Sequence, residues 1–449
     1  MPLSAAEARA LDAVDEDELV ATLVDLVRVP SITGSDAESE LQAGQRRLFE
    51  REGLSVDGWQ LDLDALRADD RFPGTEAERV EGHGLVGVTG TDDVPALVLQ
   101  GHIDVVPVGD RASWEEDPFS ARIAGGALRG RGACDMKAGV AVNLAVVRAL
   151  RRSGLRLERP LALHSVVSEE DGGLGAFATL LRGHRGDVAV ITEPTSGRLV
   201  TSTAGALTFA IAVPGRAAHG SMRYEGVSAI DAYLPLHRAI TGLEAERNTD
   251  IDPLFGDNVM PYPISVGILR SGDWASTVPD ALTAQGRLGV RLGEDPALAR
   301  RHLEHVIAEA AAADPWLRDH PPVVTWPGGQ FASGSLAEGH PLAEEVRDVV
   351  RTVGGAAPGT AAAPYGSDLR LYAGLGQMPT LHYGPGDVRF AHAPREKVRL
   401  AEVFEVARAL TVLAVRRCGA RVRPLTATSE RCAAAAPGSD PSRPRPSGS

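Results

Sequence analysis

The sequence predicts an α/β protein, with a mixed, mostly parallel sheet flanked by helices and a smaller α+β unit inserted into it. The first observation is that short apolar runs at 96–100, 161–167 and 188–192 each lead into acidic or histidine residues, with helical segments between them. The second is a change near Ser202, where an alternating pattern typical of antiparallel strands begins. The third is that helix–strand alternation and acidic or histidine residues resume after about residue 330. The α+β unit therefore interrupts the first domain.

Length and composition indicate a globular protein with more than one core. The chain has 449 residues, 43% of them apolar and 24% charged, which is too long for one ordinary domain. The formal net charge of −14 argues against nucleic acid or an anionic membrane as partner, because both need a basic face. Three widely spaced cysteines fit a reducing compartment. No signal-type segment and no apolar stretch of about 18 residues occurs, so we expect a cytoplasmic protein.

The first elements follow from helical periodicity and from residues that end helices. Leu19, Leu23, Leu26 and Val27 share one helical face, and Pro30 ends that helix. Residues 41–52 form a second predicted helix, which Gly53 ends. Strands are predicted at 55–61 and 84–88.

The stretch 97–139 contains the residues around which the domain is organised. A buried-type strand leads to His102, and the turn at 130–132 presents Asp135 just before a helix over 140–150. Open α/β proteins build their sites at the carboxyl ends of strands. We therefore predict that His102 and Asp135 are the first two ligands of a metal centre. Cys134 could be a thiolate ligand, but a small residue in a tight turn is favoured because no second cysteine lies near it in sequence.

Further ligand-type residues follow the later strands. The predicted ligand-type set is His102, Asp135, Glu169, Glu170, Glu193 and His392. These nitrogen and oxygen donors suit a pair of divalent ions such as zinc, bridged by one carboxylate at a spacing of ~3.5–4 Å. One of the adjacent Glu169 and Glu170 can bind metal while the other acts as general base. Asp104 is placed to fix the tautomer of the His102 imidazole.

The remaining elements complete the predicted domain organisation. The first domain comprises 1–201 and 331–422, and the inserted unit comprises 202–330. The tail, 423–449, is rich in Pro, Ser, Ala and Arg and is predicted to be disordered. The predicted elements after residue 202 are strands at 206–213, 264–269, 281–292, 322–326 and 380–383, and helices at 227–243, 296–312 and 341–352, with a last helix ending at Cys418.

Several motifs resemble those of the M20 metallopeptidases, the acetylornithine deacetylase, succinyl-diaminopimelate desuccinylase and carboxypeptidase group. The resemblance covers nearly all of the chain from Val29 to Leu400 and rests on GHIDVVP, GRGACDMKAG, SEEDGG, ITEPT, GRAAHGS and GPGDVRFAHAPREKV. It implies a zinc-exopeptidase-like catalytic domain at 1–201 and 331–422. The segment 202–330 would be a lid and dimerisation domain, so a homodimer is expected.

The resemblance also implies a role for each metal ligand. His102, Asp135 and Glu193 would hold one ion, while Asp135 (as the bridge), Glu170 and His392 would hold the other. The ions would be zinc, with cobalt or manganese as alternatives. Members of the family usually carry a cis peptide after the bridging aspartate, here Asp135-Met136.

The catalytic roles come from the same resemblance. Glu169 would be the general acid and base, and Asp104 the partner of His102. His219 matches a histidine that reaches the active site, often across the dimer, to stabilise the oxyanion. The chain departs from the family pattern at 276–279, where Ser-Thr-Val-Pro replaces an Asn-containing turn, and at Arg395, where Asn is common.

The expected activity is removal of an acyl group from an N-acyl amino acid by a dinuclear-metal hydrolase. The alternative is an M20 dipeptidase or carboxypeptidase acting on dipeptides. Ser367 and Arg370, with Arg287 or Arg291 from the inserted unit, are the candidates for binding the substrate carboxylate.

Two further classes fit the sequence less well. Single-domain zinc aminopeptidases use a similar order of ligands, but they have no place for the roughly 125-residue insertion. A non-catalytic binding protein on the same fold would be expected to lack a ligand or the general base, and none is missing from the sequence.

Overall fold

The computed structural model describes residues 2–90 and 94–422, so the tail predicted to be disordered lies outside the described residues. Within the described part of the chain, no helix combines the length and the apolar character needed to cross a bilayer. The helices are α1 (Ala5–Asp12), α2 (Glu16–Arg28), α3 (Asp36–Arg51), α4 (Leu63–Arg67), α5 (Ala138–Arg152), α6 (Leu174–Leu181), α7 (Ala229–Arg247), α8 (Pro296–Ala313), α9 (Leu342–Thr352), α10 (Leu369–Ala373) and α11 (Leu400–Cys418).

The strands complete the framework and form two main sheets. They are β1 (Ser55–Gln60), β2 (His83–Val88), β3 (Leu97–His102), β4 (Arg122–Ala124), β5 (Ala127–Arg129), β6 (Leu155–Leu157), β7 (Leu161–Val166), β8 (Ala189–Ile191), β9 (Leu199–Thr203), β10 (Gly205–Pro214), β11 (Ala218–His219), β12 (Ile264–Ser271), β13 (Thr277–Val278), β14 (Ala281–Val290), β15 (Val323–Thr325), β16 (Gln330–Phe331), β17 (Gly334–Ser335), β18 (Thr360–Ala363), β19 (Thr380–His382), β20 (Lys397–Arg399) and β21 (Ala420–Val422).

The larger sheet is mixed and has nine strands, in the order β1-β2-β7-β3-β8-β19-β9-β17, with β18 paired to β9. Strand β3 runs parallel to both β7 and β8, and β8 runs parallel to β19. All residues of β3 and β7 are buried, because helices cover both faces of the sheet at these strands. This explains why each strand begins with three consecutive apolar residues, at 97–99 and 161–163, rather than with apolar and polar residues in alternation. The predicted α/β class, with a mixed sheet flanked by helices, is confirmed.

Helix α5 packs against the centre of this sheet and is almost entirely buried, with α2 and α11 beside it. Its N-terminus follows directly on the turn Ala133–Lys137, where Asp135 and Met136 leave helical geometry. The peptide between these two residues is cis, as the family resemblance implies. Helix α5, which is buried, fixes one end of this turn next to the carboxyl end of β3.

The second sheet has the order β12-β14-β10-β15, with β16 paired to β10, and it is antiparallel. Burial alternates along most of β10 because this sheet has one face on a core of its own, formed with α7 and α8. The chain leaves the nine-stranded sheet after β9 and returns to it at β17, which pairs with β9. The order of elements agrees with the predicted one, while the division into a catalytic and a lid domain stays a prediction.

Candidate metal centre

The six predicted ligand-type residues come from five segments that meet at one edge of the nine-stranded sheet. His102 ends β3, Asp135 lies in the turn before α5, Glu169 and Glu170 follow β7, and Glu193 follows β8. His392 lies in the loop after β19 and has a positive φ of 58°. Because β3, β7 and β8 are parallel neighbours, residues that follow them lie side by side at their carboxyl ends.

The first group surrounds the buried imidazole of His102. Its Nε2 lies 3.2 Å from Asp135 Oδ1, 3.6 Å from Glu193 Oε1 and 4.0 Å from Glu169 Oε2. The second group surrounds His392, whose Nε2 lies 3.0 Å from Glu170 Oε2 and 3.4 Å from Asp135 Oδ2. The two carboxylate oxygens of Asp135 therefore face different histidines, which is the arrangement that a bridging ligand requires.

Two triads from this cluster offer ligand atoms close enough together to hold an ion. They are His102–Asp135–Glu170 and His102–Glu169–Glu193, with the ligand atoms of each triad within 4.8 Å of one another. The structure thus brings together all six residues that were predicted from the sequence as ligand-type residues. It also places Glu169, the proposed base, close enough to His102 to be counted among the candidate ligands.

The electrostatics of the cluster favour a cation. Burial raises the pKa of Glu193 well above its usual value, and the charge of Asp135 raises it further. Burial likewise raises the pKa of Glu169 well above its usual value, and the charge of Glu193 raises it further. Buried carboxylates of one sign destabilise each other unless a positive charge compensates them. A donor set of imidazole nitrogens and carboxylate oxygens fits a divalent ion such as zinc, so the residues present are compatible with the proposed metal.

The backbone carbonyl of Asp104, rather than its predicted carboxylate, contacts the His102 imidazole. The Nδ1 of His102 lies 3.0 Å from the backbone carbonyl oxygen of Asp104, whereas the Asp104 carboxylate is 3.6 Å away, beyond a hydrogen bond. The carboxylate instead accepts from the backbone N–H groups of Glu169 and Glu170, each at 3.3 Å, and from Thr33 Oγ1 at 2.9 Å. The carbonyl therefore orients the imidazole, while the carboxylate holds the turn that carries both glutamates.

Cys134 is a thiol in a tight turn rather than a ligand. It is fully buried, its Sγ lies 3.2 Å from the carbonyl oxygen of Asp387, and burial raises its pKa well above the usual value. A thiolate is thereby disfavoured, which supports the interpretation of Cys134 as a small residue that fits the turn.

His219 lies on the second sheet's side of the molecule, in the short strand β11, and is exposed. Its Nδ1 contacts Ser221 Oγ at 2.8 Å, and none of its described contacts reaches the six clustered residues. Within one chain the structure therefore does not bring His219 to the cluster, and its catalytic role stays a prediction.

The arginines predicted to bind the substrate carboxylate donate hydrogen bonds to backbone carbonyl oxygens of this chain. Arg370 is buried, donates to the carbonyls of Ser367 (2.8 Å) and Gly172 (2.6 Å), and stacks on Phe331. Arg291 donates to the carbonyls of residues 246 and 247, and Arg287 donates to the carbonyl of residue 364. Ser367 Oγ lies 3.1 Å from His382 Nε2. These contacts are structural and give no support to carboxylate binding. A sequence does not distinguish an arginine that binds a ligand from one that binds its own backbone.

Sequence reasoning missed Tyr365, which lies in the loop after β18. Burial raises the pKa of its phenol well above the usual value, and the charges of Glu193, Asp135 and Glu169 raise it further. The phenol thus shares the electrostatic environment of the carboxylate cluster. Its position directly before Gly366-Ser367-Asp368 was the available signal.

The family model described as "Peptidase family M20/M25/M40" matches residues 98–416. An N-formyl-4-amino-5-aminomethyl-2-methylpyrimidine deformylase of Halalkalibacterium halodurans is 25% identical, over 91% of this chain and 96% of the relative. An acetylornithine deacetylase of Yersinia pseudotuberculosis is 30% identical, over 84% of this chain and 91% of the relative. Among solved structures, the di-peptidase Dug1p of Saccharomyces cerevisiae is similar, with a TM-score of 0.74, 12% identity, and coverage of 92% of this chain and 98% of that chain.

Proposed function

Because the chain belongs to peptidase family M20/M25/M40, and is thus an amide-bond hydrolase of that family, we propose that it removes a short acyl group from the nitrogen of a small molecule. The expected substrate is an N-acyl amino acid. The curated relatives described above are a deacetylase and a deformylase, and both names denote release of a small acyl group from nitrogen. The similarity to a dipeptidase structure is at 12% identity and supports the fold alone. A dipeptidase is therefore the second candidate.

The observation that carries this proposal is the cluster in which Asp135 faces both the buried His102 and the half-exposed His392. We assign His102, Asp135 and Glu193 to one divalent ion, and Asp135, Glu170 and His392 to a second. Zinc fits these donors, with cobalt or manganese as alternatives. When bound, such a pair of ions polarises an amide carbonyl and lowers the pKa of a water to about 7.

Glu169 is the proposed general base and acid. Its carboxylate is buried beside the cluster, with Oε2 at 4.0 Å from His102 Nε2, and no hydrogen bond described in the structure fixes it to a histidine. Its backbone N–H donates a hydrogen bond to the Asp104 carboxylate, which fixes the backbone from which the Glu169 side chain extends. These contacts support the proposal that Glu169 takes a proton from water at a carboxylate oxygen and delivers it to the leaving nitrogen.

A panel of amides tests the substrate class. We expect zinc-loaded protein to hydrolyse formyl- or acetyl-amino acids with a higher kcat/KM than unblocked dipeptides. Succinyl-amino acids in the same panel measure the tolerance for a longer, charged acyl group. A preference for free dipeptides over all acylated amino acids would instead establish the dipeptidase candidate.

We further propose a homodimer formed through the unit between β9 and β17. Strand β12 lies at an edge of the second sheet and exposes Ile268 (44%) and Leu269 (52%), and helix α7 exposes Ile230 (42%) and Leu234 (47%). Pairing two copies at this surface would give hydrogen-bond partners to the free N–H and C=O groups of the edge strand, and it would cover these apolar side chains. Such a dimer would supply His219 from one subunit to the cluster of the other.

A subunit-mixing experiment tests this role of His219. His219→Ala is expected to lower kcat while leaving the metal content unchanged, because the imidazole lies outside the cluster. Glu169→Gln is expected to have a strongly lowered kcat for a different reason, the loss of the base. Mixing the two variants under conditions of subunit exchange should restore turnover, since a mixed dimer contains one site with both groups. Parental turnover in His219→Ala alone would remove His219 from the mechanism.

A further inference from the structure

A buried ion pair lies directly behind the turn that carries Asp135. Arg131 Nη1 lies 2.5 Å from Glu396 Oε2, and the two side chains are only 3% and 0% exposed. Arg131 also donates through Nη2 to the carbonyl of Pro107 at 3.3 Å, and its guanidinium stacks on the ring of Trp114 at 5.3 Å. Three different groups therefore fix the guanidinium, which in turn fixes one oxygen of Glu396.

The other oxygen of Glu396 binds the backbone of the proposed metal-binding turn. Oε1 accepts from the N–H of Cys134 at 3.1 Å and from the N–H of Asp135 at 3.2 Å. Charge-assisted bonds from backbone N–H groups to a buried carboxylate are strong and directional. The position of the Asp135 backbone, and with it the direction of its side chain, is thus tied to Glu396.

Glu396 also belongs to the segment that carries His392. The N–H of Glu396 donates to the carbonyl of Ala393 at 3.1 Å, and its own carbonyl accepts from the N–H of Gly130 at 3.1 Å. Strand β20, which begins at the next residue, pairs with β5 just before that turn. One residue therefore connects the two segments from which Asp135 and His392 come, although 257 positions in sequence separate these two residues, that is 392 − 135.

From these contacts we propose that Glu396, held by Arg131, is a positioning residue that sets the distance between Asp135 and His392 and thereby the affinity for the second metal ion. This inference rests on the proposed function, because it assumes that these two residues bind a metal. Both carboxylate oxygens of Glu396 are occupied by protein donors, Arg131 and two backbone N–H groups, so it acts on the proposed site through the backbone. A buried ion pair is weak evidence for stability, since desolvation offsets the attraction of the charges, so a role in geometry accounts for it better.

Zinc titration in competition with a chromophoric chelator tests the proposal without relying on turnover. Glu396→Gln keeps an oxygen that can accept from both N–H groups but loses the charge, and we expect it to weaken one of the two zinc sites about tenfold. Glu396→Leu loses the acceptor as well, and we expect about a hundredfold loss; 10–100-fold is typical for groups that orient metal ligands. Arg131→Lys keeps a positive charge, so its zinc affinity should be closer to that of the parent than the zinc affinity of Glu396→Gln.

The matched control is Glu294→Gln, which disrupts the buried pair of Arg247 and Glu294 in the second sheet's unit, remote in the fold from the clustered ligands. It should lower thermal stability yet leave both zinc affinities at the parental values. Parental affinities in both Glu396 variants would overturn the positioning role while leaving the proposed function intact. A loss of zinc affinity in the control as large as that in Glu396→Gln would also overturn it. A parent that takes up no zinc would overturn the proposed function itself, and the positioning role with it.

Discussion

Glu169→Gln is expected to keep its metal content and to lose about 10²–10⁴-fold in kcat, the usual contribution of a general base. Glutamine has nearly the same shape, so the turn held by Asp104 should be retained, but the amide cannot accept a proton from water. The remaining donors, including His102 and Glu193, are unchanged. Steady-state kinetics together with metal analysis by mass spectrometry measure the two quantities on the same sample.

The matched control for this prediction is Glu52→Gln, the same chemical change at another buried glutamate. Glu52 pairs with Arg148 and Arg151, and none of its described contacts is to the clustered residues. Its replacement should affect stability and leave kcat unchanged. Should Glu169→Gln turn over substrate at the parental rate, Glu169 is not the base. Should it lose metal instead, Glu169 is a ligand, as its place in a triad with His102 and Glu193 would permit.

Asp135→Asn is expected to have the largest effect, with loss of both high-affinity metal binding and measurable turnover. The carboxylate faces His102 with one oxygen and His392 with the other, and an amide offers one oxygen and no charge. Zinc at a hundred times its dissociation constant should raise the free energy of unfolding of the parent by about 2.7 kcal/mol for each site, because it binds the folded state. Denaturation with and without zinc should show that this stabilisation is absent in the variant.

Asp57→Asn serves as the control for the loss of a carboxylate. Asp57 lies on β1, the edge strand of the sheet, outside the cluster. Its carboxylate accepts hydrogen bonds from Arg182 and His184. The Asp57→Asn variant should bind zinc with the affinity of the parent. If Asp135→Asn retains two equivalents of zinc with parental affinity, Asp135 does not bridge the ions.

The central sheet could be predicted from sequence because its strands are buried on both faces. Strands β3 and β7 each begin with three consecutive apolar residues, and ligand-type residues follow at or shortly after their carboxyl ends. The same reasoning missed β18, where Thr360–Ala363 pairs in parallel with β9. Alanine has no strand preference, and only the neighbouring strand makes this segment extended. Helix α1 was missed as well, although Ser4 and Glu7 form a capping box at its start.

The identity of the candidate ligands could also be predicted, but the functions of supporting residues could not. His102, Asp135 and Glu193 follow apolar runs or precede a helix, and both patterns are local in sequence. The role of the Asp104 carboxylate depends on the N–H groups of residues 169 and 170, which are 65 and 66 positions away. Arg370 was proposed to bind substrate because nothing in the sequence shows that its donors bind the carbonyls of Ser367 and Gly172.

The sequence by itself determined the α/β class, the chemical nature of the candidate metal donors and the segment that interrupts the first sheet. These properties depend on residue type and on spacing within one element, where burial and periodicity leave a direct pattern. Only the tertiary structure decided that Asp135 faces two histidines, that the described contacts of His219 do not include the cluster of its own chain, and that Glu396 links the segments of Asp135 and His392. Those relations depend on distances between elements far apart in the chain, which are set by packing and by hydrogen bonds that no local pattern records.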